Sequence, residues 1–340
     1  MAWRMPAETA PHERVWMAFP RAGRTLGDDP AAAQEAYAAW ATVANAVAEF
    51  EPVVMVVDPS ERERARRLLG GEVKQVEAAL DDFWMRDIGP TFVVDDERPG
   101  VLGAVDWVFN GWGAADWASW EHDREIGRLV TDESGAEPVS SLLVNEGGAI
   151  HVDGEGTVLV TETVQLDPGR NPYVTKARVE SELRRTIGAT RVIWLPCGLT
   201  RDYAELGTRG HVDMVATIPS PGRLLLHAQP DPGHPDHAVM REVRAALDGR
   251  EFEIIELPAP TTLRDADGFV DWNYVNHLPV NGGVIACGYG DARADAVAAG
   301  ILAEAYPGRR VVTVDARPIL ARGGGVHCIT QQQPVVGSGR

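Results

Sequence analysis

The chain repeats a pattern of secondary structure without repeating its sequence. Two apolar, strand-like segments joined by a turn are followed by a helical segment and a further strand, at intervals of roughly 50 to 65 residues. About five such units fit the sequence, and no stretch rich in proline, serine or charge divides them. We therefore predict a single α/β domain over residues 1–340, built from about five ββαβ units.

Turns and helix starts within this pattern have local signals. Asp153-Gly154 predicts a tight turn between the two strands of residues 142–161. Asp29 and Pro30 predict the N-cap and the first residue of a helix that continues over 31–50. Both signals agree with the order of elements that the repeat requires.

Candidate functional side chains stand at the starts of predicted strands, and in a ring these positions converge on the axis. A strand predicted over 210–218 carries two of them on one face, because side chains alternate along a strand. The fifth unit, with a strand predicted over 272–280, supplies none. The candidates are Asp87, Glu146, His211, Asp213 and Cys328.

Cys328 follows the glycine run 323–325 and opens a short strand-like segment. Glycines allow the backbone a close approach, so the thiol can reach the floor of a pocket, where a thiolate is a strong nucleophile. A packed cysteine behind a glycine turn is the alternative, since free cysteines are often buried. Cys197 and Cys287 are predicted to be packing thiols.

The candidate side chains together suit chemistry on a guanidinium group. A carboxylate accepts two parallel N–H groups of this flat cation, so Asp87 and Asp213 can hold both of its edges. Cys328 can then attack the central carbon, and His211 can protonate the departing ammonia. Water would hydrolyse the resulting S-alkylthiouronium to a ureido product, with Glu146 orienting His211.

The net charge and the composition limit the classes of molecule that the protein can bind. The net charge of −18 disfavours nucleic acids and anionic membranes and favours a small cationic substrate. No apolar run approaches the roughly 20 residues needed to span a bilayer, and the N-terminus lacks the pattern of a secretory signal. Three widely spaced cysteines predict reduced thiols, so we predict a cytoplasmic protein.

Five ordered motifs resemble those of the agmatine deiminase family, which groups agmatine iminohydrolases with bacterial-type peptidylarginine deiminases. Together they extend along nearly the whole chain. They are Met5-Pro-Ala-Glu with 12–20, Trp84-Met-Arg-Asp-Ile-Gly-Pro-Thr, Glu146-Gly-Gly-Ala-Ile-His-Val-Asp-Gly-Glu-Gly, Gly210-His-Val-Asp and Gly323-Gly-Gly-Val-His-Cys-Ile-Thr-Gln-Gln-Gln-Pro.

This resemblance implies a pentein fold, an α/β-propeller with pseudo-fivefold ββαβ units around a central active site. It also implies that Cys328 is the nucleophile, His211 the acid and base, and Glu146 its partner carboxylate. Asp87 and Asp213 become the guanidinium ligands. It implies no metal or organic cofactor, a homodimer, and agmatine as substrate in putrescine synthesis.

Some positions differ from the pattern of plant and enteric agmatine enzymes. Met214 and Gly325 stand where asparagine is usual, and the approach to Gly210 is longer. The catalytic set is intact, so these differences concern the pocket for the tail of the substrate. Trp84 and Trp112 are candidates to line that pocket, since an aromatic face suits a cation, with core or lid packing as the alternative.

Several other functions remain open from the residues. A deiminase of peptidyl or free arginine uses the same chemistry, and Arg201, Arg209 or Arg322 could bind the α-carboxylate of free arginine. An amidinotransferase would pass the thiouronium to an amine instead of water. A non-catalytic guanidine-binding protein would bind the guanidinium in the same pocket without catalysing a reaction.

Metal-dependent hydrolysis is a further alternative from a different class. His and Asp side chains are ligands for divalent ions, and two His-x-Asp pairs are present. The candidate ligands are His151, Asp153, His211, Asp213 and His327. For His151 and Asp153 we favour a structural role.

Overall fold

Five antiparallel strand pairs organise the protein in a computed structural model that describes residues 2–337. Their first strands begin at residues 330, 91, 150, 216 and 278, which agrees with the predicted repeat. The pairs are Thr330–Pro334 with His12–Ala18, Thr91–Asp95 with Leu102–Val108, Ile150–Val152 with Thr157–Thr161, Ala216–Ser220 with Arg223–Ala228, and Leu278–Val280 with Gly283–Gly288.

In each pair the second strand leads through a helix to a third strand that lies parallel to it. The helices are Pro30–Ala48, Ile126–Ser134, Lys176–Ile187, Pro235–Ala246 and Ala292–Ala305. The third strands are Val53–Val57, Glu137–Val144, Arg191–Leu195, Glu253–Pro258 and Arg310–Asp315. We number these five ββαβ units by the order of their helices.

Smaller elements extend the units. Trp3–Arg4 pairs with Thr91–Asp95, Lys74–Glu77 pairs with Val53–Val57, and Arg264–Asp265 pairs with Gly268–Phe269. The remaining helices are Arg62–Leu68, Met85–Ile88, Gly111–Ala114, Glu162–Gln165 and Arg317–Leu320. Short 3₁₀ turns occur at Pro59–Glu61, Asp123–Glu125, Gly147–Ala149, Thr200–Tyr203 and Val212–Met214.

The first unit is assembled from both ends of the chain, because Thr330–Pro334 pairs with His12–Ala18. Hydrogen bonds between neighbouring units then close a ring around the centre. They join Arg86 N to Cys328 O at 3.1 Å, Gly148 N to Asp87 Oδ1 at 3.1 Å, His151 Nε2 and Thr217 Oγ1 at 2.8 Å, Asn276 Nδ2 to Asp213 O at 3.3 Å, and His327 N to Asn276 Oδ1 at 2.9 Å. The predicted ring of five ββαβ units is confirmed.

Local sequence explains where the helices begin and where the core forms. The carboxylate of Asp29 accepts a hydrogen bond from Ala31 N, and Pro30 is the first helical residue, as predicted. Trp40 and Val43 of this helix are fully buried, and so is the whole strand Val53–Val57. Burial of these apolar faces is the main force that holds helix to sheet.

Two predicted strands begin later than expected. Residues 210–218 form a strand only from Ala216, and residues 272–280 form one only from Leu278. His211 precedes a 3₁₀ turn that contains Asp213, so strand alternation on one face is the wrong reason for their proximity. Within residues 2–337, no helix is long and apolar enough to cross a membrane.

Candidate active site

Each candidate side chain lies on an irregular segment or helical turn just before the first strand of a unit. Asp87 is in Met85–Ile88, Glu146 precedes Gly147–Ala149, and Asp213 is in Val212–Met214. These turns bring groups of different units within hydrogen-bond distance of one another, as with Gly148 N and Asp87 Oδ1 at 3.1 Å. The structure thus brings together all five side chains that the sequence singled out.

The thiol of Cys328 is held between an amide and a carboxylate. Asn276 Nδ2 donates to Cys328 Sγ at 3.1 Å, and the thiol contacts Asp213 Oδ2 at 3.4 Å. Burial, followed by the charges of Asp213 and Asp87, raises the pKa of the Cys328 thiol well above its usual range. In the absence of a cation between these carboxylates, the sulfur is therefore protonated.

His211 is surrounded by carboxylates. Its Nε2 lies 3.3 Å from Glu146 Oε2, and its Nδ1 lies 3.8 Å from Asp87 Oδ1. Burial lowers the pKa of His211, but Asp87, Glu146 and Asp213 outweigh burial and raise it to about 9. The imidazole is thus a cation near neutral pH and carries a proton that it can donate.

Glu146 is fixed by a buried guanidinium. Arg170 Nε donates to both oxygens of Glu146, at 2.9 and 3.1 Å, and its other nitrogens bond to Asp167 and to the oxygen of Thr208. Burial raises the pKa of Glu146, but Arg170 and His211 outweigh it and hold that pKa below its usual range. Glu146 is therefore a permanent anion that orients His211.

The two carboxylates expected to hold a guanidinium have different partners. Asp87 accepts hydrogen bonds from Trp112 Nε1 at 2.9 Å and from Gly148 N at 3.1 Å, and burial raises the pKa of Asp87 to about 6. Asp213 accepts from His327 Nδ1 at 2.8 Å. Burial raises the pKa of Asp213, but His327 outweighs it and lowers that pKa.

Two buried polar atoms of the site have no hydrogen-bond partner within the described chain, namely His211 Nδ1 and Asp213 Oδ1. Buried polar atoms are normally satisfied, so unpaired atoms in a cluster of ionisable groups point to ligand contacts. Gly148 leaves the space between them. A Cβ on Gly148 would lie 2.5 Å from His211 Nδ1 and 3.0 Å from both Asp213 Oδ2 and Asp87 Oδ1.

Sequence reasoning missed a second layer of residues behind these groups. His327 Nε2 lies 2.8 Å from Glu8 Oε1, while Nδ1 bonds Asp213, so His327 links two carboxylates. The position of His327 beside Cys328 was a usable signal. Asn276 lies just before the first strand of the fifth unit, the one unit from which no residue had been chosen.

Asp202 shapes the loop that carries His211. Its carboxylate accepts hydrogen bonds from the backbone N–H groups of Thr208 at 2.7 Å, Gly210 at 2.7 Å and His211 at 3.0 Å. Three donors converging on one carboxylate fix the backbone of a segment that has no regular secondary structure. Asp202 is therefore a positioning residue for His211.

The two candidate tryptophans differ in their contacts. Trp112 has a φ of 55° and turns its indole N–H onto Asp87, and its ring stacks on Trp117. Trp84 packs with Trp40 and Phe83 in the core, and an edge of its ring faces Gly324 beside Cys328. Cys287 donates to Asn276 O at 3.0 Å, and Cys197 is half-buried.

Three arginines proposed for an α-carboxylate already have partners. Arg201 pairs with Asp265 at 2.6 Å, Arg209 pairs with Asp167 at 3.0 Å, and Arg322 donates to backbone oxygens, including that of Ala32 at 2.7 Å. Each of these guanidinium groups holds loops together. A substrate carboxylate would have to share each of these guanidinium groups with the contact that it already makes.

The five residues of the metal alternative do not form one set of ligands in the structure. Asp153 Oδ1 accepts from Glu155 N and Thr157 N in a turn, and His151 bonds Thr217. Within residues 2–337, one set of three donors lies within 4.8 Å, namely Glu8, His151 and His327. Both ring nitrogens of His327 already face carboxylates, so no lone pair of this ring is directed at a metal.

Known proteins share this architecture along its full length. A protein of Streptomyces coelicolor whose agmatine deiminase name is provisional is 55% identical over 341 residues, covering 98% of this chain and 99% of the relative. The agmatine deiminase of Stutzerimonas stutzeri is 39% identical over 359 residues, covering 97% and 95%. The structure of the Enterococcus faecalis agmatine deiminase matches with a TM-score of 0.89 at 30% identity, covering 98% and 96%.

The model of the family of Porphyromonas-type peptidyl-arginine deiminases matches residues 4–334. This match includes every motif on which the resemblance rested, and it extends from the first strand of the chain to the last. The structural match supports the same fold along nearly the whole chain. The chain is a member of the Porphyromonas-type peptidyl-arginine deiminase family.

Proposed function

We propose that this enzyme hydrolyses the guanidinium group of agmatine to N-carbamoylputrescine and ammonia. The observation that carries the proposal is the placement of Asp87 and Asp213, two buried carboxylates from different units, beside the thiol of Cys328 and the imidazolium of His211. The same chemistry is named for the Stutzerimonas stutzeri relative. N-carbamoylputrescine is a precursor for putrescine, so we assign the reaction to putrescine synthesis in the cytoplasm.

Substrate binding would generate the nucleophile. The charges of Asp213 and Asp87 contribute to the raised pKa of the Cys328 thiol. A guanidinium bound between these carboxylates neutralises them, so its arrival lowers the pKa of the thiol, which releases its proton to solvent and becomes the thiolate. The sulfur would then attack the central carbon, and the guanidinium π system would collapse to a tetrahedral adduct.

His211 would supply the proton that makes ammonia a leaving group. The imidazolium, held by Glu146, donates its proton to one amino nitrogen as the carbon–nitrogen bond breaks, which leaves the S-alkylthiouronium. The neutral imidazole then removes a proton from water. The resulting hydroxide attacks the same carbon. The carbon–sulfur bond then breaks as the proton of the new hydroxyl passes to the sulfur, and the ureido product leaves with the thiol restored.

The tail of the substrate distinguishes agmatine from arginine. Arginine adds an α-carboxylate, and Arg201, Arg209 and Arg322 are all engaged in structural contacts. An anion near a site lined by carboxylates would lose its hydration without gaining a partner. The alkylammonium tail of agmatine carries no carboxylate, so its binding does not include the free-energy cost of burying an unpaired anion.

The test is turnover of agmatine, free arginine and an arginine-containing peptide, measured as ammonia and ureido product. We expect agmatine to have a kcat/KM about a hundredfold or more above the others, because the arginine carboxylate remains unpaired. Cys328→Ala should lower kcat by about a thousandfold or more, while Cys197→Ala, which removes a thiol outside the site, should not.

Other outcomes identify other functions. Turnover of the peptide or arginine without agmatine would keep the mechanism and overturn the substrate. Guanidino transfer to an added amine would identify an amidinotransferase. Tight agmatine binding without product would make the protein a guanidine-binding module.

A further inference from the structure

The side chain of Asn276 lies between the segment that carries Cys328 and the turn that carries Asp213, and it is fully buried. Its nitrogen donates to Cys328 Sγ at 3.1 Å and to the backbone oxygen of Asp213 at 3.3 Å. Its oxygen accepts from the backbone N–H groups of His327 at 2.9 Å and Cys328 at 3.4 Å. Both donors and both lone pairs of the amide are therefore in use.

These four contacts determine which end of the amide faces the sulfur. Two backbone N–H donors meet the oxygen of Asn276, and a backbone carbonyl oxygen meets its nitrogen. Exchanging the two ends would place N–H groups against N–H groups and an oxygen against an oxygen, so these hydrogen bonds would be lost. The nitrogen of Asn276 is therefore the end that faces Cys328 Sγ.

The surroundings of Asn276 hold this amide in place. Its backbone N–H donates to Asn273 Oδ1 at 3.0 Å, and its backbone oxygen accepts from Cys287 Sγ at 3.0 Å. Gly325 lies against the side chain, since a Cβ on Gly325 would approach Asn276 Oδ1 to 2.4 Å. The glycine run before Cys328 thus leaves room for the amide. An N–H group fixed in this way needs no rearrangement when charge develops on the sulfur.

The amide and the carboxylate beside the sulfur have opposite effects on its charge. Asp213 Oδ2 lies 3.4 Å from Cys328 Sγ, and a carboxylate accepts a hydrogen bond from a thiol but repels a thiolate. Burial and then the charges of Asp213 and Asp87 raise the pKa of the thiol, whereas the hydrogen bond from Asn276 lowers it. A hydrogen bond to an ionised acceptor is roughly twice as strong as one to a neutral acceptor, so the contact with Asn276 strengthens when the thiolate forms.

We propose that Asn276 is a catalytic residue that stabilises negative charge on the sulfur of Cys328. This inference rests on the proposed function and adds a residue to its site. The charge develops twice, first when the thiol loses its proton before attack and again when the electron pair of the carbon–sulfur bond returns to the sulfur during hydrolysis. Because the resting sulfur is protonated, stabilising the thiolate lowers the barrier to attack measured from the resting enzyme.

The test is the rate at which iodoacetamide alkylates Cys328, followed by mass spectrometry of the peptide that contains it, together with kcat for agmatine. Alkylation reports the thiolate, which is the reactive form. Asn276→Asp keeps an oxygen that accepts from the two backbone N–H groups, and Asn276→Ala adds no charge, so the change common to both variants is the loss of the N–H donor. We expect each variant to lower both rates by about tenfold or more.

Asn281→Ala is the matched control. Asn281 also belongs to the fifth unit, and its amide joins two units through His12, accepting from His12 N at 3.0 Å and donating to His12 O at 2.8 Å. Removal of this amide weakens a contact between units without removing a donor to the sulfur. Both rates should therefore match those of the wild type.

Slower alkylation in Asn276→Ala alone would reduce the amide to a support for the backbone, and slower alkylation in Asn276→Asp alone would be an effect of the added charge. Either result would overturn the proposal, as would a wild-type Cys328 that resists alkylation. If Asn276→Ala fails to fold, Asn276→Leu, which has a similar size and neither donor nor charge, takes its place. Alkylation needs no substrate, so a lack of agmatine turnover in the wild type would overturn the proposed substrate alone, and equal alkylation rates would overturn the role of Asn276 alone.

Discussion

His211 shows how far the surroundings of one residue can move it from its ordinary chemistry. A free imidazole is mostly neutral at pH 7, and the sequence argument chose His211 because its intrinsic pKa is close to neutrality. In the structure, burial is outweighed by three carboxylates that raise its pKa to about 9. The residue therefore holds its proton at rest, whereas its intrinsic pKa would leave it mostly neutral at pH 7.

The pH dependence of kcat/KM should report these shifted groups. Asp87, whose pKa burial raises to about 6, must lose its proton to bind a guanidinium, so activity should rise as pH increases through about 6. His211 must keep its proton, so activity should fall above about 9. The two limbs belong to the coupled site as a whole.

A matched variant assigns the alkaline limb. Glu146→Gln removes a carboxylate that raises the pKa of His211, so the fall in activity should move to lower pH. The acid limb should change less, because Asp87 is held mainly by burial. An alkaline limb that stays in place in Glu146→Gln would contradict the role of His211 as the acid.

The turns before the strands are the elements that build the site. Residue types and glycine spacing were enough to choose Cys328, Asp87 and Glu146 from the sequence. Asn276 was not chosen, because residues 272–280 look like one continuous strand, in which an amide has no evident function. That interpretation is wrong, because the strand begins only at Leu278 and the side-chain amide of Asn276 contacts Cys328 Sγ at 3.1 Å.

The turn at Gly147–Ala149 gives a test of this close packing. A methyl group on Gly148 would lie 2.5 Å from His211 Nδ1 and would enter the space between Asp87 and Asp213. Since Gly148 does not have a positive φ, its backbone tolerates alanine and the effect is steric. We expect Gly148→Ala to lower kcat/KM by about a hundredfold through misplaced catalytic groups.

Gly71→Ala is the control, because a Cβ at Gly71 meets nothing within 4 Å. Steady-state kinetics and circular dichroism of both variants separate a local defect from unfolding. Overpacking costs about 1–3 kcal/mol, so Gly148→Ala should remain folded. Full activity in Gly148→Ala would mean that the substrate does not occupy this space.

On the scale of the whole molecule, the sequence predicted the number and kind of units but not how the ring closes. The repeat is local, because each hairpin and crossover helix spans a short stretch of chain. Closure pairs Thr330–Pro334 with His12–Ala18, and no local pattern specifies a partner so distant in sequence. For the same reason the sequence did not predict the contact between Glu8 and His327, the histidine that bonds Asp213.

This closure makes agmatine binding a property of the whole ring. Asp87, Glu146, Asp213, Asn276 and Cys328 come from five different units, so a bound guanidinium contacts parts that separate only when the ring opens. A ligand that binds the folded state alone, at about 100 times its Kd, adds about 2.7 kcal/mol to the free energy of unfolding. For a chain of this size the melting temperature should rise by on the order of 5 °C.

The measurement is thermal unfolding of Cys328→Ala, which binds agmatine without turning it over, across a range of agmatine concentrations. The double variant with Asp87→Asn should lose the shift, because one side of the guanidinium fork is gone. The double variant with Asp248→Asn, which changes an exposed carboxylate, should keep it. A shift that survives Asp87→Asn would contradict a guanidinium site between Asp87 and Asp213.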